Sequence, residues 1–127
     1  VLDLPIVSGL TEKSPKAHFA EAQDLLAELK PYQEFLGFVA EVRFDDTLGW
    51  SVVFESGTVS KGFVVHLGQK PKREWVLTKL LIEALAKQGM DPAEVWLGTG
   101  HDSNRIPLRI RSRSNNSISN SLIAEAG

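Results

Sequence analysis

Three runs of alternating apolar and polar residues, between residues 39 and 67, constrain the fold of this 127-residue chain more than any other feature. In each run every second residue is apolar, which is typical of a strand with one buried face. The middle run contains Trp50, Val52 and Phe54, and short turns with glycine separate it from its neighbours. Strands so close in sequence usually pair with each other, so the pattern predicts an antiparallel meander.

Two segments with helical periodicity flank this meander. The first begins at Ser14-Pro15, a helix cap followed by proline, and stops at Pro31. Its apolar stripe consists of Phe19, Ala22, Leu25, Leu26 and Leu29. The second covers residues 75–87 and is followed by Gly89, a typical C-terminal cap. Both segments are apolar on one side, so both helices are predicted to pack on the sheet.

Two more strands are predicted after the second helix, at residues 94–97 and 106–110. The last strand contains Pro107, which cannot donate to a ladder, so we expect this strand at an edge of the sheet. The expected fold is α+β: an antiparallel or mixed sheet with two helices packed on it, in the order α-β-β-β-α-β-β, with a C-terminal edge strand. Residues 1–111 form this domain, and residues 112–127 are expected to be a Ser- and Asn-rich tail.

Composition excludes several kinds of site. The chain has no cysteine, so disulfides, thiolate metal sites and cysteine nucleophiles are excluded. Its histidines, His18, His66 and His101, lack metal-binding spacing, so we expect no metal and no other cofactor. We place His18 on the surface of the first helix and His66 on the solvent side of a strand. The net charge of −2 argues against nucleic acid as a partner.

The loop of residues 98–104 brings reactive residue types together, because it contains His101, Asp102 and Ser103. A small hydrolase or transferase that uses this loop is therefore an alternative function. Adjacent residues rarely reach the geometry of a catalytic triad, whereas Gly, Asp, Ser and Asn are typical of turns. We favour a turn and assign no catalytic residue.

The last predicted strand carries two different rows of side chains. Ile106, Leu108 and Ile110 lie on one side, and arginines, including Arg109 and Arg111, lie on the other. The arginines either protect an edge strand from aggregation or help it to receive a partner strand or an acidic segment. The sequence leaves both interpretations open.

The ordered set of motifs resembles the extracytoplasmic β domain of the FtsQ/DivIB family of bacterial cell division proteins. The resemblance covers residues 4–111. Its matching features are Leu4-Pro5 with Gly9, the strand around Trp50 that closes at Gly57, the strand end Leu67-Gly68, the following helix and the terminal strand pair. The chain departs from the family at Trp96-Leu97-Gly98, where an acidic residue, Leu and Arg are common, and at Thr99, where an aromatic residue is often found.

The resemblance implies a divisome scaffold that is not an enzyme. The parent protein would cross the cell inner membrane once, and a POTRA domain and then this β domain would follow in the periplasm. Family members use the C-terminal strands to take up a strand of FtsB, which is paired with FtsL. A generic envelope adaptor domain unrelated to division is a further alternative.

By resemblance, partner binding falls on the terminal strand pair. The residues implied are Thr99, Ser103, Ile106, Leu108 and Ile110. We add Trp96, which stands beside this strand pair, and Arg109, which together with Arg111 would meet acidic residues of the partner.

Overall fold

The computed structural model describes residues 4–57, 61–98 and 105–111 and the backbone of residues 118–125. Within these segments seven strands form one sheet, in which the spatial order follows the chain order. The strands are β1 Ile6–Ser8, β2 Val39–Asp45, β3 Gly49–Phe54, β4 Phe63–Gly68, β5 Asp91–Trp96, β6 Arg105–Arg111 and β7 Ile118–Glu125. The helices are α1 Lys16–Leu29, α2 Gln33–Leu36 and α3 Trp75–Lys87, with a 3-10 turn at Lys30–Tyr32.

The sheet is mixed, and the predicted α+β class is confirmed. Strands β2, β3 and β4 form the expected antiparallel meander. Helix α3 connects β4 to β5, and these two strands run parallel. Strands β5, β6 and β7 are antiparallel, and the short β1 adds to β2 in parallel at the other side of the sheet.

The edge of the sheet is not at the strand that contains Pro107. Pro107 lies opposite Ile123, so β6 sits between β5 and β7. The C-terminal edge strand is β7, within the segment that we expected to be a tail. A proline inside an antiparallel strand removes a single donor on one side of that strand, so it does not prevent pairing on both sides. The polar composition after Arg111 hid the strand that follows it.

Helix α1 is turned differently from the prediction. Ala22, Leu25 and Leu29 are buried, but the side chain of Phe19 is 47% exposed. His18 takes the inner position, and its ring centroid lies 4.5 Å from that of Phe44. Residues 18, 22, 25 and 29 are spaced by alternating steps of four and three, which form one stripe on a helix. The surface position expected for His18 was therefore wrong.

The hydrophobic core lies between the helices and one face of the sheet. The most deeply buried strand residues are Val42, Trp50, Val52, Phe54, Phe63, Val65, Leu67, Val95 and Leu108. Trp75, Ile82 and Leu85 of α3 complete the same cluster. Helix α3 ends as predicted, because Gly89 adopts a positive φ of 74° and Met90 donates its N–H to the carbonyl of Leu85.

Two glycines let the ends of β4 and β5 approach each other. Gly68 has a φ of 87°, and a Cβ added to it would overlap the carbonyl oxygen of Gly98. A Cβ added to Gly98 would likewise overlap the carbonyl oxygen of Leu67. Glycine is required at both positions because it alone lacks a Cβ. This contact fixes the point from which the chain leaves β5.

Candidate functional site

The sheet face opposite the helices, which we call the open face, carries a row of polar side chains. Ser51 of β3 pairs in register with His66 of β4, and Glu94 of β5 pairs with Arg109 of β6. Paired residues on neighbouring strands point to the same face, so these four side chains lie close together. We call them the polar row.

Hydrogen bonds join the polar row from β3 to β6. His66 Nε2 lies 2.7 Å from Glu94 Oε2, and Ser51 Oγ lies 3.1 Å from His66 Nδ1. The other oxygen of Glu94 forms an ion pair with the guanidinium group of Arg109. A neutral imidazole that donates from Nε2 to the carboxylate can accept from the Ser51 hydroxyl at Nδ1. The polar row therefore ties four neighbouring strands together by their side chains.

His66 has a lowered pKa in this setting. Burial opposes its charged form, and the positive charges of Arg43 and Arg109 lower the pKa further. The Glu94 carboxylate, which would favour the imidazolium, is shared with Arg109. His66 lies on the open face as expected, but its side chain is only 18% exposed. The Trp96 ring stacks on it, with centroids 5.1 Å apart.

The order Ser51, His66, Glu94 is that of a nucleophile, a base and an orienting acid. Two features oppose a hydrolytic role. Ser51 is only 6% exposed, so a substrate carbonyl cannot reach its hydroxyl without displacing neighbouring side chains. Strand β3 pairs on both sides, with β2 and β4, so its backbone N–H groups are used in the ladders and are not free to bind an oxyanion. The geometry fits a role in holding the strands in register.

Arg111 forms a second clasp, where β5 begins and β6 ends. Its guanidinium group donates to Asp91 Oδ2 at 2.7 Å and to the carbonyl oxygen of Gly62 at 2.9 Å. The backbone N–H of Lys61 donates to the other oxygen of Asp91 at 3.2 Å. Both Arg109 and Arg111 thus have acidic partners inside the chain. Because Glu94 and Asp91 already balance their charges, the structure does not support the expected pairing of these arginines with acidic residues of a partner.

Apart from Arg109, the structure separates the predicted partner-binding residues into three groups. Ile106, Leu108 and Ile110 are buried in the core, so their predicted side-chain contacts with a partner are wrong. The alternation was interpreted correctly, but the apolar row of β6 belongs to the hydrophobic core of the domain. Trp96 lies half-buried on the open face beside His66.

Thr99 and Ser103 lie outside the described residues, as do His101 and Asp102 of the alternative catalytic loop. The predictions for these four residues therefore remain predictions.

Strand β7 forms the C-terminal edge, and sequence reasoning missed it. Its Cα partners on β6 run from Arg105 opposite Glu125 to Arg111 opposite Ile118. No other described strand pairs with the outer side of β7. An edge strand presents backbone N–H and C=O groups on its outer side, where another strand can pair. The apolar residues Leu122 and Ile123, which follow the polar run, were the available signal.

Comparison of the chain with protein-family models, with curated proteins and with solved structures gave no match. Among the residues that the structure describes, no helix is long and apolar enough to cross a membrane. The same residues contain no group of three or more His, Asp or Glu side chains placed to hold a metal ion. The candidate site is the C-terminal side of the sheet, formed by β5, β6 and the edge strand β7.

Proposed function

We propose that this chain is a non-catalytic scaffold domain that binds a partner by β-strand addition at its C-terminal edge. The observation that supports this is the position of β7, the last strand in the sheet, whose outer side pairs with no other described strand. At about 3.4 Å per residue, a strand of this length offers an edge of about 27 Å. Backbone ladders of this kind give affinity in strand addition.

The neighbouring strands supply a rigid base for this edge. The polar row joins β3, β4, β5 and β6, and the clasp of Arg111 joins the start of β5 to the end of β6. Strand β7 pairs with β6 along most of its length. A partner that adds to β7 therefore meets a strand whose inner side is already supported, so less order has to be gained on binding.

The partner in this proposal is an FtsB-like strand, paired with an FtsL-like chain in the bacterial divisome. This identity comes from the resemblance to the FtsQ/DivIB family, as does the placement of the domain in the periplasm on a parent that crosses the inner membrane once. The partner strand would add to β7 and not to β6, and the buried side chains of Ile106, Leu108 and Ile110 would not touch it. No nucleic acid and no cofactor are part of it.

Binding through a backbone ladder should depend weakly on salt. Arg109 and Arg111 are neutralised by Glu94 and Asp91, so they contribute little long-range attraction for an acidic partner. We expect the Kd to change less than about threefold between 50 and 300 mM salt. A tenfold or larger loss of affinity would favour the acidic-partner interpretation of the arginines.

Two proline substitutions in β7 test the proposed edge directly. Successive residues of an antiparallel strand direct their N–H groups to opposite sides, and Ser121 and Ala124 are three positions apart. Of Ser121→Pro and Ala124→Pro, one therefore removes an outward N–H and the other an N–H directed at β6. Each variant is the control for the other.

The variant that loses the outward N–H should keep its melting temperature and lose at least tenfold in affinity for the FtsB–FtsL pair. The other variant should mainly lose stability. Unchanged affinity in both would refute the proposed edge. A different result is an unaltered chain that fails to bind FtsB–FtsL but binds another partner, with the proline variant losing that binding. This result would favour the generic adaptor domain as the function.

A further inference from the structure

Helix α3 has an exposed apolar stripe on the face that points away from the core. Trp75, Thr78, Ile82 and Leu85 are buried on the inner face. On the outer face Val76 is 62% exposed, Leu80 is 55% exposed, and Ala84 is also exposed. These three residues recur every four positions and form a stripe about 12 Å long. We call Val76, Leu80 and Ala84 the outer stripe.

Charged residues follow the outer stripe in an alternating order. Glu74 precedes the helix, Lys79 and Glu83 lie beside the stripe, and Lys87 ends the helix. Along the chain the signs are negative, positive, negative, positive. When such a helix is placed antiparallel to a copy of itself, every acidic residue faces a basic residue. The pattern is therefore complementary to itself.

We propose that two copies of this chain pair through antiparallel α3 helices, around a two-fold axis at Leu80. In this arrangement Val76 packs on the partner's Ala84, so that a large side chain meets a small one. Lys79 lies near the partner's Glu83, and Glu74 lies near the partner's Lys87. The two-fold axis makes each of these contacts occur twice.

The surroundings of the outer stripe suit a second helix. A groove of about 550 Å³ adjoins it, between Tyr32 and the first turn of α3. Lys79 is held over the ring of Phe35, 5.3 Å from its centroid, which places its charge at the side of the stripe. A chain of different sequence would have no need for charges that complement themselves, so a second copy is the occupant that the charge pattern favours.

The expected dimer is weak and reversible. The apolar contact comes from three side chains per copy, which is less than the core of a standard interface. Exposed ion pairs contribute more to the choice of partner and orientation than to affinity. Dimerisation is independent of the proposed strand addition, because α3 covers the sheet face at β5 and leaves the outer side of β7 free.

Exchange of the charges tests the pairing. Lys79→Glu alone and Glu83→Lys alone each place like charges together in a homodimer, so each variant should self-associate at least tenfold more weakly than the unaltered chain. In an equimolar mixture of the two variants, both contacts between unlike copies become attractive. Sedimentation velocity on the full chain, at concentrations up to about 1 mM, should then show association restored in the mixture. Lys16→Glu, an exposed charge change on α1, is the matched control and should change nothing.

Three results would overturn the proposal: an unaltered chain that stays monomeric at 1 mM, single variants that associate like the unaltered chain, or a mixture that stays monomeric. Because Lys79→Glu also removes the contact with Phe35, each variant is first checked for a native NMR spectrum. Leu80→Gln gives a second test that does not touch Lys79. Leu80 is largely exposed, so this variant should fold and should lose association.

Discussion

Replacement of Leu108 by alanine should destabilise the domain strongly, although this residue lies on the strand that sequence reasoning placed at the edge. The side chain is 1% exposed and belongs to the main hydrophobic cluster, with Ile106 and Ile110 on the same strand. Its Cα partners are Val95 on β5 and Leu122 on β7. Removal of its branched end leaves a cavity in this cluster.

The expected cost is about 3 to 5 kcal/mol, the range for Leu to Ala changes at fully buried sites that relax little. A domain of this size typically has a free energy of unfolding of about 5 to 15 kcal/mol, so the variant should remain folded but marginal. The melting temperature should fall by about 10 °C or more. Urea unfolding followed by tryptophan fluorescence measures the free energy directly, since Trp50 and Trp75 are buried in the same core.

Leu48→Ala is the matched control, because the Leu48 side chain is 63% exposed in the turn between β2 and β3. It should cost less than about 0.5 kcal/mol. A loss below about 1 kcal/mol for Leu108→Ala would refute the burial of the apolar row of β6 in the core. Substitutions such as Leu108→Asp are consequently unsuitable as tests of partner binding, because they should unfold the domain.

Three further predictions concern the glycine contact and the two polar clusters. Gly68→Ala should cost more than about 2 kcal/mol in urea unfolding, because it adds a Cβ at a positive φ against the carbonyl of Gly98. Because the pKa of His66 is lowered in the folded chain, the unfolded chain binds a proton more readily. The stability that His66 contributes is therefore complete above about pH 6.5 and is lost as the pH falls from there towards the folded pKa. His66→Gln should remove this part of the pH dependence of the free energy of unfolding, and an unchanged slope would contradict the lowered pKa. Arg111→Lys should cost about 1 kcal/mol because one ammonium group cannot hold both Asp91 and the carbonyl of Gly62, whereas Arg105→Lys, at an exposed position, should be neutral in the same thermal melt.

The parts of the fold that depend on neighbouring residues could be predicted from the sequence. The alternation through Trp50, Val52 and Phe54 gave the meander, because a strand with one buried face repeats every two residues. The predicted bounds of helix α3 agree with the structure at both ends, since its apolar stripe and Gly89 are local signals. The periodicity of α1 is compatible with an inner stripe that begins at Phe19 or at His18. In the folded chain the stripe that contains His18 packs on the sheet.

The parts that depend on strand register could not be predicted. Ser51, His66 and Glu94 are far apart in sequence and meet only because β3, β4 and β5 are neighbours in a particular register. No local pattern distinguishes His66 from a solvated strand residue. The inner position of β6 likewise depends on β7, which pairs with β6 on the side away from β5.

The central claim, strand addition at β7, is tested most directly by NMR titration of the ¹⁵N-labelled chain with the soluble part of an FtsB–FtsL pair from the same organism. The proposal predicts that the largest shifts, and new protection from hydrogen exchange, fall on the backbone amides of residues 118–125, with smaller changes on β6. Absence of binding, or shifts confined to the open face around Trp96 or to α3, would contradict it.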